Sequence, residues 1–205
     1  MKLWLGLALA ATPVMAETAY PSLHDVAGVA ATDVLNIRAE PRSASAIIGS
    51  LTATETGIEV VAISPDGRWG RVNTGETSGW AALAYLRVQD RPAWFALQGS
   101  LHCAGAEPFW AAQIDPAGAG LVTFGTPETD DLPLQIQALW PGDDWRPVAG
   151  LSLASATATG MAVIRAESCS DGMSDRASGL GIDLFLNLGN GGEARALRGC
   201  CALAP

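Results

Sequence analysis

Four cysteines, two of them adjacent, constrain the fold of this chain more than any other feature of its sequence. They are Cys103, Cys169, Cys200 and Cys201. A disulfide between neighbours would need a strained ring and a distorted or cis peptide bond, which costs several kcal/mol. Because adjacent side chains of a strand point to opposite faces, each of the adjacent cysteines is expected to bond a different, distant partner. The end of the chain would then be tied to two separate segments, which predicts a small disulfide-bonded domain.

The N-terminal segment indicates export. Residues 1–16 carry a positive charge at Lys2, then a short apolar run and the small-x-small sequence V-M-A that ends at Ala16, as in a secretory signal peptide. The run is shorter than the roughly 20 residues that span a bilayer, so cleavage is expected rather than the alternative, an N-terminal membrane anchor. No cysteine follows the run, so no lipid anchor is expected. We expect a mature chain that begins at Glu17 in the periplasm or outside the cell, where disulfides form.

The charge of the chain excludes several classes of partner. The net charge is -9, and loss of Lys2, the only lysine, takes it to -10. Nucleic acids and anionic membrane surfaces repel so acidic a chain, so nucleic acid is not an expected partner. No stable membrane insertion is expected after the signal is removed. A mature chain without lysine also excludes Schiff-base and Ser-Lys catalysis.

Short alternating segments bounded by turn residues fill the first half. After residues 17–30, which we interpret as a loosely held lead-in, strands are expected in residues 31–90 at 33–38, 47–51, 57–62, 68–72 and 79–81, with Tyr85 and Leu86 closing the unit. Strands at this spacing, with glycine and proline between them, are typical of a small barrel. A short polar joint, residues 87–92, follows.

Five sequence blocks in this half carry a family resemblance. The blocks L-N-I-R-A-E-P, I-I-G-S-L, G-R-W-G-R-V, S-G-W-A and Y-L occur in that order within residues 26–90. Together they resemble the bacterial SH3-like domain. The resemblance implies a barrel of five or six strands that binds cell-wall peptides or positions a neighbouring domain. Trp69, Trp80 and Tyr85 are the candidate binding surface; alternatively they fill the core, since a small domain needs large aromatics to do so.

Residues 93–205 are also predicted to be all-β, as an antiparallel barrel or half-barrel, because closure removes exposed edges. One helical turn is expected around Ser174–Gly179, and a hairpin turn at 189–192. The eight expected strands are Trp94–Leu97, Phe109–Ile114, Gly120–Phe124, Leu134–Trp140, Arg146–Leu151, Met161–Ala166, Leu180–Leu188 and Ala194–Cys200.

Three motifs in this half carry a second resemblance. They are C-A-G-A-E-P-F-W from Cys103, C-S-D-G-M-S-D-R from Cys169, and the late R-G-C-C. They are similar to motifs of an uncharacterised bacterial envelope family, which in turn is similar to the domain of heat-shock-type outer-membrane lipoproteins. The resemblance implies no established activity. It favours a bond between Cys169 and Cys200, which leaves Cys103 with Cys201.

The same motifs contain a cluster of polar and aromatic residues: Glu107, Trp110, Asp171, Asp175 and Arg176. Its carboxylates could form a calcium or acid-base site. The alternative is structural, with Asp171 and the following glycine in a turn and Ser174 or Asp175 capping a helical turn. We expect Glu107 to be partly desolvated by its aromatic neighbours, and Arg176 to pair with Glu107 or Asp171, since a partly buried carboxylate needs a partner.

Catalytic and cofactor chemistry find little support in the sequence. His102 and the cysteines lack the spacing usual for zinc, so no metal and no other cofactor is expected. There is no G-x-S-x-G, and only His24 and His102 could serve as a base, so no catalytic residue is assigned and a hydrolase is the most distant hypothesis.

Two binding hypotheses therefore remain. The first is an exported envelope binding or scaffold protein that contacts peptidoglycan or an envelope protein. The second is a carrier of a small apolar ligand inside the C-terminal barrel, lined by some of Trp94, Trp110, Trp140 and Phe185.

Overall fold

The computed structural model describes residues 19–189 and 194–205, and it is all-β, as predicted. The expected signal peptide and Glu17 lie outside the described residues, as does most of the expected turn at 189–192. Within the described part of the chain, no helix is long and apolar enough to cross a membrane.

The first eight strands form an N-terminal unit of two small antiparallel sheets. One sheet has the order β4-β1-β8 and the other β3-β2-β7-β6-β5. Their facing side chains, among them Ile37, Val60 and Val72, make one buried cluster. The strands are β1 (Ser22–Val26), β2 (Val34–Arg38), β3 (Ile47–Thr52), β4 (Ile58–Val60), β5 (Ala62–Ile63), β6 (Trp69–Thr74), β7 (Thr77–Ala82) and β8 (Leu86–Val88).

The expected lead-in is wrong, because β1 is the central strand of the first sheet and pairs with both β4 and β8. Leu23, His24 and Val26 are all buried. Val26 belongs to the core of the N-terminal unit, whereas Leu23, on the opposite face of the strand, lines the boundary with the second unit. A strand that is covered on both faces does not alternate between apolar and polar residues, so its pattern is not visible in the sequence.

The other eight strands close into an antiparallel barrel. The order is β10-β11-β12-β13-β14-β15-β16-β9, and β9 closes the barrel by pairing with both β10 and β16. The strands are β9 (Leu101–Ala106), β10 (Phe109–Asp115), β11 (Leu121–Thr126), β12 (Thr129–Trp140), β13 (Val148–Ala154), β14 (Ala158–Cys169), β15 (Ser178–Leu188) and β16 (Ala194–Leu203).

Two local predictions in this half are wrong, and one strand was missed. The strand expected at Trp94–Leu97 is a 3₁₀ turn, Trp94–Ala96. The strand β9 was not predicted, because alanine, glycine and cysteine dominate it and give little contrast between its two faces. The helical turn expected around Ser174–Gly179 is absent from this described segment, which is irregular up to the start of β15.

The interior of the barrel is filled. Large aliphatic side chains from successive strands, each almost completely buried, meet along its axis; they include Leu101, Ile114, Leu134, Leu151, Ile164, Leu180 and Leu184. Trp94 and Trp110 pack in this core, whereas Trp140 and Phe185 lie on the outer wall and are 53% and 46% exposed. The four aromatics proposed to line an apolar ligand therefore do not surround one cavity.

Both disulfides have the expected pairing. Cys103–Cys201 joins directly opposed residues of β9 and β16. Cys169–Cys200 joins the end of β14 to β16. Cys201 is part of the barrel core and its neighbour bonds on the other face, as adjacent residues of one strand must. The last strand is thus fastened to two segments that are distant in sequence.

Candidate functional site

One outer face of the N-terminal unit combines aromatic and guanidinium groups. On β7, Trp80 lies directly opposite Arg38 of β2 on one side and Arg71 of β6 on the other. Trp69 points to the same face, two residue pairs along the β6–β7 ladder, within reach of a large diagonal neighbour. We call these four residues the Arg–Trp face.

Neither tryptophan of the Arg–Trp face is a core residue. The strands that carry them bury the alternate positions, Gly70 and Val72 on β6 and Ala81 on β7, while Trp69 and Trp80 are half-buried. The alternative interpretation, in which these two side chains fill the core, is therefore wrong. They are free to contact a ligand with the ring surface that remains exposed.

Both arginines of this face are held in place. Arg38 donates from Nη1 to the carbonyl oxygen of Ser45 at 2.8 Å. Arg71 donates from Nε and Nη2 to the hydroxyl of Ser78 at 3.1 and 2.8 Å. Each guanidinium keeps further N–H groups that these bonds do not use. The pair places one guanidinium group on either side of Trp80.

The third predicted surface residue, Tyr85, lies elsewhere. It is in the 3₁₀ turn Leu83–Tyr85 that follows β7 and is 44% exposed, with its ring beside Gly28. It is not on the strands that carry the Arg–Trp face, so we leave it out of the site.

The C-S-D-G-M-S-D-R motif forms a loop that leaves the barrel wall; we call residues 169–177 the latch loop. Its first residue is fixed to β16 by the Cys169–Cys200 bond. Asp171 then accepts hydrogen bonds from the backbone N–H groups of Met173 and Ser174 at 3.0 and 3.1 Å. The bond from Met173 is the main reason that the pKa of Asp171 lies below its ordinary value. This is the turn that the structural alternative predicted.

The tip of the latch loop binds the β6–β7 turn of the N-terminal unit. Arg176 donates from Nη1 to the carbonyl oxygen of Gly75 at 2.7 Å, and the Asp175 N–H donates to that of Glu76 at 2.9 Å. Asp175 also forms a parallel bridge with Thr77. The predicted pairing of Arg176 with Glu107 or Asp171 is therefore wrong: its partner is a backbone carbonyl of the other unit.

Two side chains next to that turn complete the contact. The amide of Asn73 makes a two-way bond with the backbone of Ala177: Nδ2 donates to the carbonyl oxygen, and Oδ1 accepts from the N–H, both at 2.8 Å. The hydroxyl of Ser78 donates to the carbonyl oxygen of Asp175 at 3.2 Å. Because Ser78 also accepts from Arg71, the latch loop helps to orient one arginine of the Arg–Trp face.

The remaining members of the predicted motif cluster do not form a carboxylate site. Glu107 is exposed, as are Pro108 and Phe109, so the expected desolvation of Glu107 is wrong. Among the residues that the structure describes, no group of three or more His, Cys, Asp or Glu side chains is arranged to hold a metal ion. The backbone of Asp175 bonds to the N-terminal unit.

Trp110 has a packing role that links the motifs. Its Nε1–H donates to the carbonyl oxygen of Arg198 at 3.3 Å, and its ring stacks on Phe124. A Cβ on Gly199 would lie 2.6 Å from Cζ2 of the indole, which is too close, and one on Gly105 would overlap the other edge of the ring. The two glycines, Gly105 in the same motif as Trp110 and Gly199 in R-G-C-C, therefore leave room for the indole ring.

No family model matches the chain, and no curated protein matches it.

Sequence reasoning missed most residues that join the two units. Asn73 and Ser78 are ordinary polar positions of an alternating strand, and their partners lie about a hundred residues away. Glu59 of β4 accepts a hydrogen bond from the Leu203 N–H of β16 at 2.9 Å, and burial raises the pKa of Glu59 to about 7. The only signal in the sequence for these contacts was a polar residue at an outward-facing strand position, and every half-buried strand has such residues.

Proposed function

We propose that this chain is an exported binding protein of the cell envelope, in which an SH3-like N-terminal unit binds peptidoglycan through the Arg–Trp face. The observation that carries the proposal is the position of Trp80, outside the core and between two oriented arginines. Large aromatics that lie outside the core and are flanked by cations are enriched where proteins bind partners, and the core of this unit does not contain these two.

The chemistry of the face suits this ligand. Indole rings provide flat apolar surfaces on which sugar rings and peptide groups can stack. Guanidinium groups bind carboxylates, which the stem peptides of peptidoglycan carry, by paired hydrogen bonds. A chain with a net charge of -9 would not hold an anionic polymer by long-range attraction, so recognition would depend on this local contact.

The barrel would serve as the support in this arrangement. Its interior is filled, and its latch loop fixes the turn next to Arg71 and Trp80. The filled interior does not favour the carrier hypothesis. Two disulfides are consistent with an oxidising compartment, and the N-terminal sequence of the chain supports export to the periplasm or beyond.

Co-sedimentation with purified peptidoglycan tests the proposal. The full chain should pellet with the polymer, and Trp80→Ala should weaken binding by about tenfold or more, equivalent to about 1.4 kcal/mol. Trp140→Ala is the matched control, because it removes an exposed indole from the barrel wall and should leave binding unchanged. Circular dichroism checks that both variants fold.

Two outcomes would contradict the proposal. If neither the wild type nor any variant pellets with peptidoglycan, the polymer is not the ligand; capture of a defined envelope protein that depends on Trp80 would then assign the face to a protein partner. If both tryptophan variants bind equally well, the Arg–Trp face is not the binding surface.

A further inference from the structure

The hydroxyl of Ser78 connects the latch loop to the Arg–Trp face. Its oxygen accepts from Nε and Nη2 of Arg71 at 3.1 and 2.8 Å, and the same hydroxyl donates to the carbonyl oxygen of Asp175 at 3.2 Å. A serine hydroxyl has one donor and two acceptor positions, so these three bonds use its whole capacity. One side chain therefore binds a cation of the N-terminal unit and the backbone of the barrel at the same time.

The strands place the latch loop directly beside this face. Alternate residues of a strand share a side of the sheet, so Ser78 lies on the same side of β7 as Trp80, and Asn73 on the same side of β6 as Arg71. Ser78 lies opposite Asn73, and both are bonded to the latch loop. The barrel thus covers the residue pair next to the one formed by Trp80 and Arg71.

The direction of the hydroxyl hydrogen makes the two contacts of Ser78 depend on each other. A guanidinium group has no acceptor, so the hydrogen must point away from Arg71, towards the carbonyl oxygen of Asp175. Both lone pairs are then left for the guanidinium group. Without the latch loop the hydroxyl is free to rotate, and Arg71 loses a fixed partner. Conversely, two N–H groups of a cation polarise the hydroxyl and make it a stronger donor to Asp175.

We propose that Ser78 is a positioning residue that couples ligand binding at the Arg–Trp face to the contact between the two units. An arginine that is already fixed loses less freedom when it binds a ligand, so a closed latch loop raises the affinity of the face. By thermodynamic reciprocity, a ligand held by Arg71 strengthens the contact with the latch loop by the same factor. The identity of the ligand rests on the proposed function, whereas the coupling is a property of the chain alone.

Hydrogen exchange of the full chain without ligand, followed by nuclear magnetic resonance, tests the coupling. The reporters are the amides of Asp175 and Ala177, which donate to the N-terminal unit. Arg71→Met should speed their exchange about two- to fivefold, part of the effect of losing one hydrogen bond. Arg38→Met is the matched control, because this guanidinium group bonds to Ser45 instead, and it should leave both reporters unchanged.

A double-mutant cycle shows whether the coupling passes through Ser78. In Ser78→Ala the reporters should exchange faster than in the wild type, and adding Arg71→Met should then have no further effect. The cycle is needed because Arg71 also lines a small recess that contains Ala177 and Ser178 of the barrel, which offers a second route by packing. Ser78→Thr keeps the hydroxyl and should match the wild type in every measurement.

A soluble peptidoglycan fragment, the disaccharide-tetrapeptide, measures the reciprocal effect. At saturation it should slow the exchange of the two reporter amides about two- to fivefold in the wild type and in Ser78→Thr. In Ser78→Ala it should leave their exchange unchanged, and the affinity for the fragment should be lower than in the wild type by a similar factor. A structural role of Ser78 without coupling would not give protection that depends on the ligand.

The outcomes separate this inference from the proposed function. If Arg71→Met leaves the reporters unchanged, or speeds them equally in the Ser78→Ala background, coupling through Ser78 is refuted whatever the ligand is. If the fragment binds but neither slows the reporters nor distinguishes Ser78→Ala from the wild type, the coupling is refuted and the proposed function stands. If the fragment does not bind, the proposed function fails, and the cycle without ligand decides the coupling.

Discussion

Removal of the Asn73 side chain should loosen the contact between the two units without unfolding the barrel. Its amide makes both side-chain hydrogen bonds to Ala177, which is 7% exposed. Asn73→Ala would leave a backbone N–H and a carbonyl oxygen of Ala177 unpaired in a buried position. Each unpaired buried group costs about 1–3 kcal/mol, so the contact should weaken by about 2 to 4 kcal/mol, since water can enter once the units separate.

Hydrogen exchange followed by mass spectrometry measures this loss locally. Amides of the β6–β7 turn and of the latch loop should exchange about thirtyfold faster or more in Asn73→Ala, because local opening free energies set exchange rates. Amides of β10 to β13 should be unchanged. Asn36→Ala is the matched control: Asn36 lies on the outer face of β2, and no side-chain hydrogen bond to it is present among the described residues. Equal effects of the two variants, or faster exchange throughout the barrel, would refute the assignment of Asn73 to the contact between the units.

Three further predictions test other parts of the molecule. The double variant Cys169→Ser/Cys200→Ser should free the latch loop and destabilise the barrel by about 2 to 5 kcal/mol in chemical denaturation; unchanged stability would contradict a structural role for that bond. Burial raises the pKa of Glu59 from 4.5 to about 7, so its contribution to stability is complete below about pH 4.5 and is lost as the pH rises through 7. The free energy of unfolding of the wild type should therefore decline over that interval by about 1.4 kcal/mol per pH unit. Glu59→Gln should flatten this decline, so that at pH 8 the variant is more stable than the wild type by up to about 3 kcal/mol. A decline as steep as in the wild type would contradict this. Mass spectrometry of protein recovered from its native envelope should find Glu17 at the N-terminus, and an intact Met1 would contradict export.

The strands were predictable wherever one face is buried and the other is not. Leu35 and Ile37 of β2 alternate with polar residues, and turn residues bound the segment, so the local pattern is enough. The disulfide pairing followed from the resemblance and is compatible with adjacent cysteines that point to opposite faces. Strand β1 was not predicted because both of its faces are covered. Strand β9 was not predicted because its small side chains give little contrast in hydrophobicity between its two faces.

The site was less predictable, because its geometry comes from contacts between distant segments. The sequence singled out Trp69 and Trp80, since large aromatics stand out, but not the arginines on either side of Trp80. Arg71 faces Trp80 across the β6–β7 hairpin. Arg38 faces it through the register of β2 against β7, and no local pattern specifies register between strands that are far apart in sequence. The sequence predicted an ion pair between Arg176 and a carboxylate, because oppositely charged side chains attract each other. In the folded chain Arg176 donates instead to a backbone carbonyl oxygen of the other unit.

Titration of ¹⁵N-labelled protein with a soluble peptidoglycan fragment, the disaccharide-tetrapeptide, tests the central proposal most directly. The indole resonances of Trp69 and Trp80 and the Nε resonance of Arg71 should shift together and saturate, while those of Trp140 and Trp145 stay fixed. Shifts confined to the barrel, or none on the Arg–Trp face at concentrations that saturate binding of the polymer, would contradict it.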